Sequence, residues 1–504
     1  MYIKKVIKHY GILALVLLAT LQSCKKSRSD IGAVLFKETK NRVFKKVDSA
    51  AYYKVFAEML ASSKDSLSFP SLIEDFYKKN NYEPYFIVNF VPKEQLRRLA
   101  ERYSQAPSHG LDPEYFNYSE IRELADKIYG KKNIKSTEEA YRNIARLELL
   151  TASSLIKYST TLQYGLVNPR KIFARYYMKT AKPDSAFYQK IFAITNLDAF
   201  LDEIQPADPS YKKLQEALTS NFVYTGLSPQ ETKKVIALNL ERLRWKNKPT
   251  TDRYVWVNIA DYSLKYVEGG KTALTMKVCV GKGPEQEPAM ADYDESDGAV
   301  RPHNHETPQL NSEIYNVQVN PIWNIPESIA KGEIVGHVKN DPYYLANNNI
   351  DVYRNGEKVD SDNIDWSEIS DGTYSFKQAP GDDNALGKIK FQFINASNVY
   401  LHDTPAQAPF NLQVRAVSHG CVRLEKPIEF ARALFGQGEK FELVQKEIAE
   451  SNPTSRDIAV SEKVPVFLDY MTCFVDDSGQ IQIRPDVYWL DAVLYQRVKK
   501  VLAK

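Results

Sequence analysis

The chain has 504 residues, 43% of them hydrophobic and 26% charged, which excludes intrinsic disorder and leaves room for about three domains. Its net charge of +4 is small for this length. Lys and Arg are interleaved with Asp and Glu, without the basic block that marks a nucleic-acid-binding surface. The 32 tyrosines suit either half-buried sheet or a carbohydrate-facing surface, and half-buried sheet is the commoner use.

At the N-terminus, Lys4, Lys5 and Lys8 precede an apolar run from Gly11 to Leu21. Eleven residues are too few to cross a hydrocarbon core of about 30 Å, but they suit the apolar stretch of a secretory signal. Leu21-Gln22-Ser23-Cys24 then resembles a bacterial lipobox, which implies a lipoprotein signal peptide over residues 1–24 in which Cys24 is lipidated and becomes the new N-terminus. A cleaved signal that leaves Cys24 as a plain thiol is the alternative. Residues 25–47 are polar and read as a tether. The expected location is the periplasm, with the lipid on Cys24 holding the protein to a membrane, the outer one by preference. Once Cys24 is set aside, Cys279, Cys421 and Cys473 remain, and an odd number leaves at least one free thiol. Cys279 and Cys473 lie in apolar, strand-like runs and read as core residues; a disulfide between them stays open.

From Asp48 to Trp245 the apolar residues recur at helical spacing. The clearest segment is 140–164, with Ile144, Leu147, Leu150, Leu155 and Leu162 in phase and Gly165 and Pro169 as stop signals. Residues 232–245 repeat the pattern through Val235, Leu238, Leu240 and Leu243. Residues 48–248 therefore read as a helical domain that ends in a polar stretch, 246–252. From Arg253 the period changes to two. Residues 254–259, 273–280 and 389–394 read as strands, with turn signals at Gly269-Gly270, Gly281, Pro380-Gly381 and Gly387. A mostly β domain over 249–450 carries a polar insertion, 331–366, too long for a plain loop. Residues 451–504 close the chain, with strands at 464–475 and 481–487 and a helix at 491–503 packing on the preceding domains.

The strongest chemical signal is Ser418-His419-Gly420-Cys421-Val422-Arg423, with His402 upstream at the end of a strand-like run in which Tyr400 and His402 share one face. A thiol needs a base within hydrogen-bond reach to become a nucleophilic thiolate, and His402 is the candidate, so a depressed Cys421 pKa is expected. Gly420 clears space beside Cys421 so that their two amides can face a developing oxyanion. In extended backbone Arg423 points to the same side as Cys421 and suits a substrate carboxylate. A zinc site using His303 and His305 is a weaker reading, because the spacing lacks the close ligand pairs of such sites, and no metal is assigned.

His402 and the 418–423 motif together resemble the signature of the YkuD-type L,D-transpeptidases. The likeness extends to the large YcbB-like branch through 239–245, 320–326, Pro380-Gly381 with Asn384-Ala385-Leu386-Gly387, and His402-Asp403-Thr404-Pro405. In the helical part Phe76-Tyr77, Tyr82-Glu83-Pro84 and 109–113 carry it. It implies an α+β fold: a helical scaffold plus a mostly β, sandwich-like catalytic domain, with 331–366 as a capping insertion. It implies a peptidoglycan transpeptidase in which Cys421 attacks the carbonyl between diaminopimelate and the terminal D-Ala of a tetrapeptide stem. The acyl group then passes to a second stem, giving a 3→3 cross-link. By similarity His402 is the base, the Asp403 carbonyl orients its ring, His419 and Gly420 shape the oxyanion hole, and Arg423 and Ser418 hold substrate. Trp323 and Tyr344 are implied as cleft walls. Carbapenem-type β-lactams follow as covalent inhibitors, with no cofactor and no nucleic-acid partner. Water or a protein amine as acceptor remains open, as does a catalytically silent wall-binding lipoprotein. The separate peptidoglycan-binding module of many relatives is not recognisable between Pro183 and Asn221.

Overall fold

The computed structural model describes residues 30–284, 305–366 and 372–503. The signal segment, Cys24 and His303 lie outside them. No helix among the described residues is long and apolar enough to cross a membrane. The chain divides into two compact units, one holding Met1–Ala106, Asp112–Thr160 and Pro183–Gln205, the other Pro107–Leu111, Thr161–Lys182 and Pro206–Lys504.

The first unit is helical. Within the long helix Thr137–Tyr164, Ile144, Leu147 and Leu155 are buried, as their spacing predicts. A buried carboxylate interrupts that apolar face. Glu148 accepts the Tyr77 hydroxyl at 2.5 Å and the backbone N–H groups of Tyr85, Phe86 and Ile87 at 2.7, 2.9 and 2.7 Å. These three amides open the helix Tyr85–Phe90, where a helix has donors without intrahelical partners. Burial raises the Glu148 pKa while the donors oppose that shift. Glu148 thus explains why Tyr77 and Pro84 stand where they do.

The second unit carries the sheet. Its strands are β1 Tyr254–Asn258, β2 Ser263–Glu268, β3 Lys271–Gly281, β4 Leu310–Val319, β5 Trp323–Ile325, β6 Ile350–Arg354, β7 Glu357–Val359 and β8 Ser375–Gln378. They continue with β9 Ile389–Phe393, β10 Leu401–His402, β11 Ala416–Ser418, β12 Val422–Leu424, β13 Arg456–Asp469, β14 Cys473–Val475 and β15 Ile481–Ile483. Nine of them form one sheet in the order β11-β3-β12-β10-β9-β4-β13-β1-β2, and β2 also pairs with β3. The expected layers are thus walls of one sheet that closes on itself. Alternation puts Val255, Leu264, Val278, Ile314, Phe391, Val422 and Val466 into a common core. The long tail strand β13 lies between β1 and β4, so the sheet needs it to close.

The polar insertion is a folded subdomain rather than a loop, and it is wider than 331–366. β5, β8, β6 and β7 make a separate four-stranded sheet. Ile325, Ile334, Val338, Leu345, Val352 and Phe376 fill its own small core.

The helix Pro229–Arg244 presents the 239–245 motif as a buried polar hub. Glu241 accepts from Leu166 N at 2.6 Å, Trp245 Nε1 at 2.9 Å and Arg244 Nε at 3.1 Å. Arg244 also reaches the His109 carbonyl at 3.1 Å and the Tyr211 hydroxyl at 3.0 Å. Arg242 pairs with Asp491 of the closing helix Leu490–Val498. Glu241→Ala leaves the buried Arg244 cation without its carboxylate, so a loss of about 3–5 kcal/mol is expected. Thermal melting of the variant checks this: an unchanged midpoint would remove the hub from the stability of the fold.

Candidate active site

The site is assembled by two short parallel strands. β10 pairs with β12 in the register Leu401↔Val422 and His402↔Arg423. Val422 N donates to the Tyr400 carbonyl at 3.1 Å, which sets Tyr400 beside Cys421 one step earlier. Side chains two apart share a face, so Tyr400, His402, Cys421 and Arg423 all point the same way. On the other side β9 places Lys390 opposite His402. The Lys390 ammonium lies 4.0 Å from the centre of the Tyr400 ring.

Cys421 is partly exposed where two cavities meet. One, of about 740 Å³, is lined by Arg175, Asn324, Lys390, Asn395, Tyr400 and Cys421 among others. The second, of about 300 Å³, is lined by Trp323, Glu333, Tyr344, His402, Cys421 and Arg423. Tyr400 and His419 border both.

The turn before Cys421 is held internally. Gly420 has φ +116°, which an L side chain rarely adopts. Its N–H donates to Ser418 Oγ at 3.2 Å, and that hydroxyl donates to the Cys421 carbonyl at 2.6 Å. The Gly420 carbonyl accepts from Thr307 Oγ1 at 2.8 Å, and Thr307 Oγ1 accepts from Gly281 N at 2.8 Å. A Cβ on Gly281 would lie 2.9 Å from Gly420 Cα, so these backbones meet at close range. Two expectations change here. Ser418 is buried at the edge of the smaller cavity, with its hydroxyl proton engaged in the turn. The Gly420 amide is likewise taken by Ser418, while the Cys421 amide has no hydrogen-bond acceptor among the described residues.

His402 is buried, and its Nδ1 donates to the Asp403 carbonyl at 2.5 Å, which leaves Nε2 as the acceptor nitrogen of the neutral ring. Asp403 is fixed in turn. Its carboxylate accepts Lys388 N at 2.8 Å and Thr404 N at 2.7 Å. Burial, reinforced by the Arg423 cation, pushes the His402 pKa down to about 3. No hydrogen bond joins its ring to the thiol; Cys421 bonds to Tyr400, whose hydroxyl accepts from Trp323. Burial pushes the Cys421 pKa up, opposed by Tyr400, Lys390 and Arg423. The expected depressed thiol is therefore absent: the register gives Cys421 a phenol for a direct neighbour and puts the imidazole one step along.

His419 stands on the rim, its Nε2 2.7 Å from Glu333 of the cap and its ring 4.4 Å from that of His305. Tyr344 stacks on His337 in the cap at 4.8 Å. Cys279 and Cys473 are free, buried thiols. His303, the other residue of the zinc reading, lies outside the described residues, and no group of three metal-ligating side chains occurs among them.

Comparison with known proteins finds matches for both parts of the chain. Residues 252–439 match the L,D-transpeptidase catalytic domain family YkuD, and residues 71–218 match the Scaffold domain family. The chain thus carries a YkuD L,D-transpeptidase catalytic domain together with a Scaffold domain. A Haemophilus influenzae protein named "Putative L,D-transpeptidase" is 27% identical over 434 residues, covering 84% of this chain and 79% of that one. A solved structure, "Structure of the Ldtfm-avibactam carbamoyl enzyme", is 13% identical; the match covers 48% of this chain and 64% of that one, with a TM-score of 0.20.

The sequence did not single out two polar neighbours of the thiol in this L,D-transpeptidase domain, Tyr400 and Lys390. Tyr400 was legible as a companion of His402 through its period-two spacing. Lys390 was not, because its place depends on β9 lying against β10. Gly387 shows how tightly His402 is held. It has φ +60°, and a Cβ there would lie 2.4 Å from Asp403 Oδ2. Gly387→Ala must shift Asp403 and strain the backbone, a cost of about 1–3 kcal/mol. A lowered melting point together with an altered alkylation rate at Cys421 is expected; if both match the parent, Asp403 is not locked as described.

Proposed function

We propose that the chain is a peptidoglycan L,D-transpeptidase in which Cys421 forms an acyl-enzyme with a donor tetrapeptide stem, expels its terminal D-Ala and passes the acyl group to a second stem in a 3→3 cross-link. The observation that carries this reading is a thiol at the meeting point of two cavities, with Tyr400, His402 and Arg423 on the same face of adjacent strands. One cavity takes the donor stem, and the other gives an amine a separate approach to the acyl carbon held on that sulfur.

The chemistry follows from the neighbours. The resting thiol and imidazole are both neutral, so proton transfer accompanies attack rather than preceding it. His402 Nε2 takes the proton once substrate displaces water, and the Asp403 carbonyl keeps the ring in the required tautomer. Lys390 and Arg423 supply the positive potential that a thiolate needs in a buried setting. The Cys421 amide is the backbone donor best placed for the oxyanion. Arg423 Nε, buried without a protein partner, suits a substrate carboxylate. The cap forms one wall of the smaller cavity through Glu333, Ile334 and Tyr344, which limits water at the thioester. We place the enzyme in the periplasm, tethered through lipid on Cys24.

Cys421→Ala and Cys421→Ser should abolish D-Ala release from a disaccharide-tetrapeptide, and His402→Ala should lose far more than His305→Ala. Cys421→Ala activity within about tenfold of the parent, near 1.4 kcal/mol in barrier height, would overturn the assignment. Intact mass after exposure to a carbapenem should show one adduct, absent in Cys421→Ala.

The raised thiol pKa sets a pH signature. Iodoacetamide alkylation of Cys421 should keep accelerating above the ordinary thiol midpoint of about 8.5 rather than levelling off near neutrality. Lys390→Met should move that curve further to alkaline pH and Lys390→Arg should restore it. A plateau near pH 7 would mean that a thiolate–imidazolium pair already exists at rest.

A further inference from the structure

The outer face of the sheet carries a groove next to the catalytic cavity. It has a volume of about 430 Å³ and is lined by Tyr177, Lys179, Tyr315, Ile394, Lys463 and Phe467 among others. Tyr315 and Ile394 also line the larger Cys421 cavity, so the two spaces adjoin. Its floor is rigid sheet. β4 and β13 pair as Glu313↔Pro465 and Asn311↔Phe467, which puts the alternate residues Tyr315 and Phe467 on one face. Its wall is pinned too. Tyr177 N donates to the Gln309 carbonyl at 2.7 Å and Lys179 N to Asn311 Oδ1 at 3.2 Å. Ser312 Oγ holds the Ile394 carbonyl at 2.6 Å.

On this fixed frame large side chains stay in solvent: Tyr177 is 41% exposed, Tyr315 38% and Ile394 79%. Aromatic rings with polar tips, set among Asn311, Glu313, Lys179 and Lys463, match a ligand that alternates apolar C–H faces with hydroxyl and amide groups. A pyranose chain has that chemistry. A protein-binding patch would carry fewer charges at its centre.

We propose that this groove binds the glycan strand from which the donor stem hangs, with sugar rings stacked on Tyr177 and Tyr315 and the peptide descending into the cavity towards Cys421. The proposal rests on the transpeptidase reading and deepens it, placing a glycan grip on the catalytic unit itself. The probe is a preparation of glycan strands stripped of their stem peptides by an amidase, titrated calorimetrically into the full chain carrying Cys421→Ala. Binding is expected, weakened about tenfold or more by added Tyr177→Ala and restored by Tyr177→Trp, with all three melting alike. No binding, or equal binding by the Tyr177→Ala protein, overturns the groove assignment. Preferential retention of an unrelated peptide library over the glycan also overturns it. D-Ala release by the parent enzyme tests the catalytic reading separately, so the two failures stay distinguishable.

Discussion

The parallel pairing of two very short strands, β10 and β12, is the constraint on which the site depends. It spans only two residue pairs, yet it puts four chemically active side chains on one face and sets their order. A slip of one residue would turn Tyr400 and His402 into the core and bring Leu401 to the cleft. So short a ladder is not stable alone. β9 and β3 flank it, and those strands belong to a sheet that closes on itself through the β2–β3 pairing. The distant tail strand β13 matters to catalysis for the same reason: without it the ring of strands is open.

Within that frame, burial sets the electrostatics. It favours the neutral forms of both His402 and Cys421, and Lys390 and Arg423 offset part of the effect on the thiol. A site of this kind keeps the thiol mostly protonated until an electrophile arrives. Backbone geometry does the rest. Gly420 accepts a conformation that other residues avoid, and Ser418 and Thr307 hold its amide and its carbonyl.

The cap subdomain joins this site through Trp323, Glu333 and Tyr344, which line the smaller cavity with His402 and Cys421. It has its own core and its own sheet, so its shape does not depend on the catalytic barrel. The His419–Glu333 contact links the rim of the motif to the cap at 2.7 Å and is half in solvent, a geometry that is strong enough to orient two surfaces and weak enough to release them.

Much of this was legible in the residues alone. Period 3.6 up to Trp245 and period two beyond Arg253 marked the change from helix to sheet, because side-chain spacing follows directly from backbone geometry. The 418–423 motif with His402 named the chemistry, since few residue types can make a nucleophile and its base. What the sequence by itself did not determine was adjacency. Tyr400 beside Cys421, Lys390 over Tyr400 and Thr307 under Gly420 all follow from which strands pair and in which register. The fate of the Ser418 hydroxyl and the Gly420 amide followed from the turn closing on itself. The raised thiol pKa followed from burial. These are properties of the space around a residue, created only when distant segments meet, and no local pattern of the chain encodes them.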